Sequence, residues 1–394
     1  MNRDDILEQV KHLRSEEGWL YAGLPTFKAL FGRDSVISSL QLMHEFPDIG
    51  ISTVNKLIEL QGKYESPETM EEPGKIIHEY QIDKALVEER SRKIPWLRAG
   101  KNYFSVDSTP LFCILASRLI CNASIGYEEK EKIADSIAKS LDWMINRGMG
   151  NSFLHYKIPE AGKGLQSQCW RDGSGAFLDS LVSPVSVVGV QGYAYMAIQE
   201  SVSALQKYQD NEEKYHDLVE ISMNKAQWLR ENVTAKFRLP GETYLGLAID
   251  GSGRLLRSVT TDPGHLIMSG LLSRLEERDI IERLFDPDMM TDYGIRTLSM
   301  LDRNFDSHEY QRGSIWPHDN WIIAYGMKLR GYQKQYDDIR SRILNAAEKL
   351  GGLPEYYSVD FDGKLVPQEN LRVKPCFPQA WSSGAHLYFI DNPQ

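Results

Sequence analysis

Apolar residues recur three and four positions apart along almost the whole chain, and long connections rich in glycine, proline and aromatic residues separate these runs. The spacing predicts helices near 3–15, 35–46, 51–63, 108–122, 127–147, 189–207, 212–232, 263–274, 275–285, 315–329, 334–350 and 379–390. In EEKEKIADSIAKSLDWMINRG, Ile133, Ile137, Leu141 and Met144 form one stripe while glutamates and lysines take the other side. A rather apolar helix is followed by a more charged one at 108–122 and 127–147, at 189–207 and 212–232, and at 315–329 and 334–350. Such pairing suits an inner ring and an outer ring, an all-α toroid with a central funnel. Departures from helical spacing are few and short. LAIDGSGRLLRSV reads as a hairpin turning at Asp250-Gly251, and SVDFDGKLV as another. The latter mimics the start of a calcium loop but has no glutamate at the spacing such a loop needs. No stretch has linker composition, so one domain over 1–394 is expected.

Composition narrows the class. At 394 residues and 42% hydrophobic content the chain can bury a large core. A formal charge of −10 argues against a nucleic-acid partner, which needs a basic face. Cys113, Cys121, Cys169 and Cys376 form no C-x-x-C pair and do not demand an oxidising compartment. The opening MNRDDILEQVKHLRSEE lacks the apolar centre of a signal peptide, and no run reaches membrane-span length, so a cytoplasmic protein without a membrane partner is expected. The sequons at Asn122 and Asn232 carry no weight without a secretory signal. No zinc spacing, H-E-x-x-H or phosphate loop occurs, so no metal site is assigned.

The connections ahead of the inner helices hold the candidate chemistry. They contain Phe31-Gly32-Arg33-Asp34, Asp107-Ser108-Thr109-Pro110, Cys169-Trp170-Arg171-Asp172-Gly173, Thr261-Asp262-Pro263-Gly264-His265, Glu309-Tyr310-Gln311-Arg312 running on to Trp316-Pro317-His318-Asp319, and Phe377-Pro378-Gln379-Ala380-Trp381. Taken alone, Asp34 or Ser35 reads as a helix cap, and Asp172 as a cap or a partner of Arg171. A set of such loops, each joining an aromatic residue or proline to a polar group, reads as a pocket with stacking walls and hydrogen-bonding groups. Sugars fit that lining, because their faces stack on rings while their hydroxyls seek carboxylates, amides and arginine.

FGRDS, PGKIIHEYQ, VDSTPLF, QCWRDGSGAF, VQGYAYMA, DPGHLIMSG, YGIRTLSMLD, GSIWPHDNWIIAYG and FPQAWSSGA together resemble the catalytic domain of the glycogen-debranching, amylo-α-1,6-glucosidase-like glycoside hydrolases. The pattern is similar, more distantly, to the wider group with glucoamylases, trehalases and mannosylglycerate hydrolases. The resemblance implies an (α/α)6 toroid with short β-hairpins at the funnel mouth and an inverting attack on an α-glycosidic bond. Such enzymes commonly carry an N-terminal β-sandwich, and this chain opens almost directly on the barrel, which counts against recognition of a long polymer. Cys169 stands where glycine is common and Gly189 where an acid is often found.

Inversion needs a protonated carboxyl at the leaving oxygen and an ionised one to activate water from the opposite face. The resemblance implies Asp172 as general acid, from its Trp-Arg-Asp motif, and Glu355 as general base, from its Glu-x-Tyr element. Asp319 and Glu309 are competing bases. Arg33 and Asp34 resemble the pair that grips the terminal sugar in glucoamylase-like enzymes. Phe31, Trp170, Trp316 and Trp381 are candidate walls; Arg171, Gln191, His265, His318 and Asp319 are further substrate-binding candidates, with His78 and Asp107 behind them. No cofactor is implied, since acid-base hydrolysis needs none. The expected activity is exo-acting release of a terminal sugar, glucose first, from short α-glucosides or α-1,6-linked stubs. A sugar epimerase, a glycoside phosphorylase and a non-catalytic carbohydrate-binding protein are the alternatives. The expected partner is a small carbohydrate or oligosaccharide, and the sequence leaves a homo-oligomer open.

Overall fold

The computed structural model describes residues 1–121, 125–173, 175, 180–208 and 214–392. The sequon at 122–124, residues 174 and 176–177 of the QCWRDGSGAF motif and the start predicted for the 212–232 helix lie outside the described residues. Twelve α-helices are described: α1 (Arg3–Leu13), α2 (Gly32–Leu42), α3 (Pro47–Leu60), α4 (Lys84–Lys93), α5 (Ser108–Ile120), α6 (Tyr127–Asp142), α7 (Val188–Tyr208), α8 (His216–Phe237), α9 (Arg274–Leu284), α10 (Pro317–Leu329), α11 (Gln333–Leu350) and α12 (Ala380–Asp391).

Burial sorts them into two layers. Eleven of the helices, joined by a 3-10 helix at Asp262–Ser269, build the toroid. In α5 nearly every residue is buried, as an element packed on all sides requires, whereas α6 buries only Ile133, Ala134, Ser136, Ile137, Ser140 and Leu141 along one face. The inner ring runs α2, α5, α7, the 3-10 helix, α10 and α12, each packed on the next, and α12 closes against α2. Outside them lie α3 on α2, α6 on α5, α8 on α7, α9 on the 3-10 helix, α11 on α10 and α1 on α12. This is the six-hairpin toroid, an all-α fold. Among the described residues, no helix is long and apolar enough to cross a membrane.

The helix expected at 263–274 is instead the 3-10 helix, and Gly270, at φ +71°, ends it. Its Gly264 lies so close to Ile323 and Leu284 that a Cβ would meet both at 2.9 Å, so this inner element approaches α10 and α9 more tightly than other residues permit. α4 has no counterpart in the prediction, because it buries none of its residues and so carries no apolar stripe to read. Asp83 starts it by accepting from the Ala85 and Leu86 amides. The two predicted hairpins form: Ala248–Ile249 pairs with Leu255–Leu256 across Asp250, and Val359 bridges Leu365.

Short strands aim the inner helices. Leu30–Phe31 pairs antiparallel with Glu79–Tyr80, which pairs with Lys101–Asn102, and Ser186–Val187 joins the Ala248–Ile249 hairpin. The first strand runs straight into α2 and the Ser186 strand into α7, so each helix start is pinned by a ladder. At the α2 junction Gly32 donates its amide to the His78 carbonyl at 2.9 Å, and a Cβ there would meet the Ile77 carbonyl at 2.2 Å. Glycine is needed at that place because two backbones touch.

Candidate active site

Where the inner helices begin, a small cavity is lined by Phe27, Phe31, Arg33, Asp34, Trp170, Asp172, Tyr310, Trp316, Glu355, Gln379 and Trp381. These come from several separate stretches of chain. Phe27 and Phe31 precede α2; Arg33 and Asp34 occupy its first turn; Trp170 and Asp172 sit on the connection leading to the Ser186 strand. Tyr310 and Trp316 precede α10, Glu355 follows α11, and Gln379 and Trp381 open α12.

Arg33 is the electrostatic centre. Its Nη2 donates to Asp172 Oδ2 at 2.6 Å, its Nη1 lies 3.3 Å from both Asp107 oxygens, and its Nε is 3.6 Å from Asp34 Oδ1. Asp107 is in turn held by the Ser105 hydroxyl at 2.6 Å. One cation thus faces three carboxylates, and Arg33 stays charged. The side chain of Asp172 keeps 23% exposure, against 8% for Asp34 and none for Asp107, so Asp172 is the most accessible carboxylate of the cluster. Burial pushes the Asp172 carboxyl up, Arg33 opposes that, and Asp107 adds to it. Burial lifts Asp34 to about 7 although Arg33 pulls it down. No helix-capping hydrogen bond is made at the start of α2, and Asp34 Oδ1 and Arg33 Nε have no hydrogen-bond partner. The cap reading of Asp34 therefore does not hold, and buried polar atoms without partners beside a cavity are what a hydroxylated ligand would satisfy.

Across the cavity Glu355 is 2% exposed. Its Oε2 accepts the Cys376 amide at 2.9 Å and its Oε1 accepts the Tyr310 hydroxyl. Burial raises it to about 7, with both hydrogen bonds holding it back and the Asp172 charge pushing it further up. Tyr310 and Trp316 meet edge to face at 4.8 Å between centroids, and Trp316 stacks on Tyr356 at 5.4 Å, which makes a rigid aromatic wall. Trp381 lies under the Arg33 guanidinium at 5.9 Å, and its indole nitrogen has no partner.

The structure does not bring all candidates to the cavity. Arg171 is 1% exposed and points away from it: Nε donates to Asp262 at 2.6 Å, Nη2 to Thr261 and the Thr297 carbonyl, and Nη1 to the Gln311 carbonyl. It ties loops together from behind, because neighbours in an extended segment face opposite sides and Asp172 takes the cavity side. The expected alternative pairing of Asp172 with Arg171 is replaced by the Arg33 pairing. Gln191 is spent on the Leu154 amide and carbonyl and the Val187 carbonyl. His265 is fully buried between the Tyr193 hydroxyl at 2.7 Å and Asp319 at 2.6 Å, so neither His265 nor Asp319 lines the cavity. His318 stacks on the outer face of Trp381 at 3.7 Å, and burial holds it well below its usual range, hence neutral. Glu309 pairs with Arg312 and Arg372. His78 packs edge-on behind Phe31. Phe27, Tyr310 and Gln379 line the cavity and were not singled out in the sequence. All stand close to residues that were, Tyr310 and Gln379 inside the same connections, so recurrence of those connections was the signal. Among the described residues no group of three or more His, Cys, Asp or Glu side chains could hold a metal.

With this geometry in place, likeness to known proteins can be placed on it. The chain superimposes on the mannosylglycerate hydrolase of Thermus thermophilus, a GH63 enzyme solved in complex with Tris, with a TM-score of 0.68 over 98% of this chain and 99% of that one at 13% identity. The fold is the (α/α)6 toroid. Neutral trehalase Nth1 of Saccharomyces cerevisiae shares it at a TM-score of 0.64 and 11% identity, over 95% of this chain and 73% of that one. At sequence level, residues 251–365 match the mannosylglycerate hydrolase MGH1-like glycoside hydrolase domain. A mannosylglycerate hydrolase of Rubrobacter radiotolerans is 25% identical over 114 residues, a segment spanning 28% of this chain and a quarter of the relative. The matched part of the toroid contains Tyr310, Trp316 and Glu355; Arg33, Asp34 and Asp172 lie outside it.

Proposed function

We propose that this toroid is an inverting, exo-acting glycoside hydrolase that releases one terminal sugar from a short α-glycoside. The observation that carries the reading is the convergence of Arg33, Asp34, Asp172 and Glu355 on one small aromatic-walled cavity. In this reading Asp172 is the general acid and Glu355 the general base. The sugar lies between Trp316 and the Phe31 side, and its hydroxyls take up Arg33, Asp34, Gln379 and the Trp381 indole. Hydroxyls that compete for Arg33 weaken its grip on Asp172, so burial then dominates and the proton needed by the leaving oxygen is held. Glu355 must be ionised to draw a proton from water, and its hydrogen bonds from Tyr310 and Cys376 keep the ionised form accessible near neutrality. The small size of the aromatic-walled cavity supports cleavage at a chain terminus rather than within a polymer.

Terminal glucose in a short α-glucoside, including α-1,6-linked stubs, is the first substrate class to test, in a single domain spanning 1–394. The named neighbours favour a small glycoside over a branched polymer, since mannosylglycerate and trehalose are both small. An epimerase would need histidines as acid and base, and no histidine lines the cavity among the described residues.

The test is sugar release from isomaltose, panose, maltose, trehalose, mannosylglycerate, glucosylglycerate and a limit dextrin, with the product anomer read by NMR. At least one substrate should yield the β-anomer, and kcat/KM should fall on the acid side with an apparent pKa near 7, the value of Glu355. Asp172→Asn and Glu355→Gln should each lose activity by about a thousandfold or more. Release of the α-anomer, or full activity in either variant, would sink the assignment.

A further inference from the structure

Gln311 is buried at 3% exposure in the connection before α10, and it grips the chain on both sides of Asp172. Its amide nitrogen donates to the Trp170 carbonyl at 2.7 Å, and its amide oxygen accepts the Gly173 N–H at 3.0 Å. Its backbone carbonyl takes the Arg171 guanidinium at 3.2 Å. Residues 170, 171 and 173 are thus all fastened to one residue, while the Asp172 carboxyl itself stays clear of it. Gly173 is fitted to this grip: a Cβ there would meet the Tyr310 ring at 2.6 Å and the Gln311 amide oxygen at 2.9 Å. The adjacent Tyr310 donates its hydroxyl to Glu355 on the other side of the cavity. A single dipeptide therefore holds the support of one carboxylate and touches the other directly.

We infer that Gln311 is a positioning residue for Asp172, holding its loop so that the carboxyl meets the leaving oxygen, with Tyr310 setting the matching place of Glu355. The inference rests on the reading of Asp172 as proton donor. Hydrogen bonds to the 170–171 and 172–173 peptide planes hold the backbone on both sides of the Arg171-Asp172 pair and so fix the place from which the carboxyl projects, and a general acid displaced by an ångström loses most of its advantage. Because Gln311 does not line the cavity, its effect falls on proton delivery.

Proton delivery can be separated from the rest of the reaction by the leaving group. A disaccharide substrate needs its leaving oxygen protonated; the α-fluoride of the same released sugar departs with little such help. Gln311→Met, which matches the reach but makes neither hydrogen bond, should lower kcat on the disaccharide by roughly 10- to 100-fold, part of the general-acid contribution. On the fluoride the loss should stay below about threefold, with KM little changed on both. Gln311→Glu keeps the acceptor for Gly173, loses the donor for Trp170 and places a second anion near Asp172. It should show the same leaving-group pattern and move the alkaline limb of kcat/KM to higher pH. Asp172→Asn and Glu355→Gln are run beside them, and folding of each variant is checked by tryptophan emission and thermal melting. If Asp172→Asn is selective for the disaccharide and the folded Gln311 variants are not, the positioning role is wrong while the proton-donor reading survives. If Asp172→Asn loses equally on both substrates, the donor reading fails and takes this inference with it. Should Gln311→Met not fold, Gln311→Glu alone decides by the same comparison.

Discussion

At the scale of single residues, burial in the cavity moves carboxyl groups away from their ordinary charge state. Glu355 and Asp34 are both lifted to about 7, mainly by burial. The sign of the resulting stability effect follows directly. Between roughly pH 4.5 and 7 the folded chain binds protons that the unfolded chain has released, so stability falls as pH rises through that window. Glu355→Gln removes one such group. It should therefore unfold at higher temperature than the parent at pH 8, by up to about 3 kcal/mol, with the difference fading towards pH 4.5; equal melting curves at both pH values would refute the buried-charge account. In the proposed reading, this is stability given up for reactivity. The sequence exposed the residue types well and their directions poorly. Arg33, Asp34, Trp170, Asp172, Trp316, Glu355 and Trp381 line the cavity, whereas Arg171, Gln191, His265, His318 and Asp319 are packed behind it. Which neighbour faces the cavity depends on the path of an irregular loop, and no periodicity reports that. Gln311 shows the same limit from the other side, since its role lies in contacts 138 and 141 residues distant in sequence.

At the scale of elements, amphipathic spacing revealed the outer helices and continuous apolar composition the inner ones, because an element covered on every side has no polar face to alternate with. The misread element is instructive. The inner member at 262–269 contains Pro263 and Gly264, ends at Gly270 and winds as a 3-10 helix rather than the expected α-helix. Its tighter radius lets α9 and α10 approach, and Gly264 marks the contact. Gly264→Ala should cost about 1–3 kcal/mol in denaturant unfolding through overpacking against Ile323 and Leu284. A neutral result would mean that the 3-10 helix shifts freely, against the closeness seen here. The short strands were largely unread, since two-residue ladders carry no alternation to detect; only the hairpins with Asp-Gly turns announced themselves.

At the scale of the whole molecule, the alternation of apolar and charged helices made the double ring legible, but not the contact of α1 with α12 at the ends of the chain. Beneath the cavity a buried node ties distant connections together: Asp262 accepts from the Trp170 indole at 3.0 Å, from Arg171 at 2.6 Å and from the Thr260 hydroxyl at 3.0 Å. Asp262→Ala leaves the Arg171 guanidinium buried without its counter-charge and should destabilise the fold by about 3–5 kcal/mol, measured by denaturant melting. A loss below about 1 kcal/mol would show that the node is not holding the ring. Closure itself has a temporal side. α1 packs on α12, where Arg3 pairs with Asp391 at 2.8 Å and Ile6, Val10 and Leu13 share a cluster with Ala380 and Leu387. During synthesis α1 leaves the ribosome long before its partner exists, by roughly twenty seconds to over a minute at ordinary elongation rates. For that interval the apolar face of α1 has only Leu20, Leu42 and Ile49 of its cluster to close on, so the nascent protein is a natural client for whatever shields emerging hydrophobic helices, and a ribosome stalled short of residue 380 leaves the part that Ala380 and Leu387 cover open.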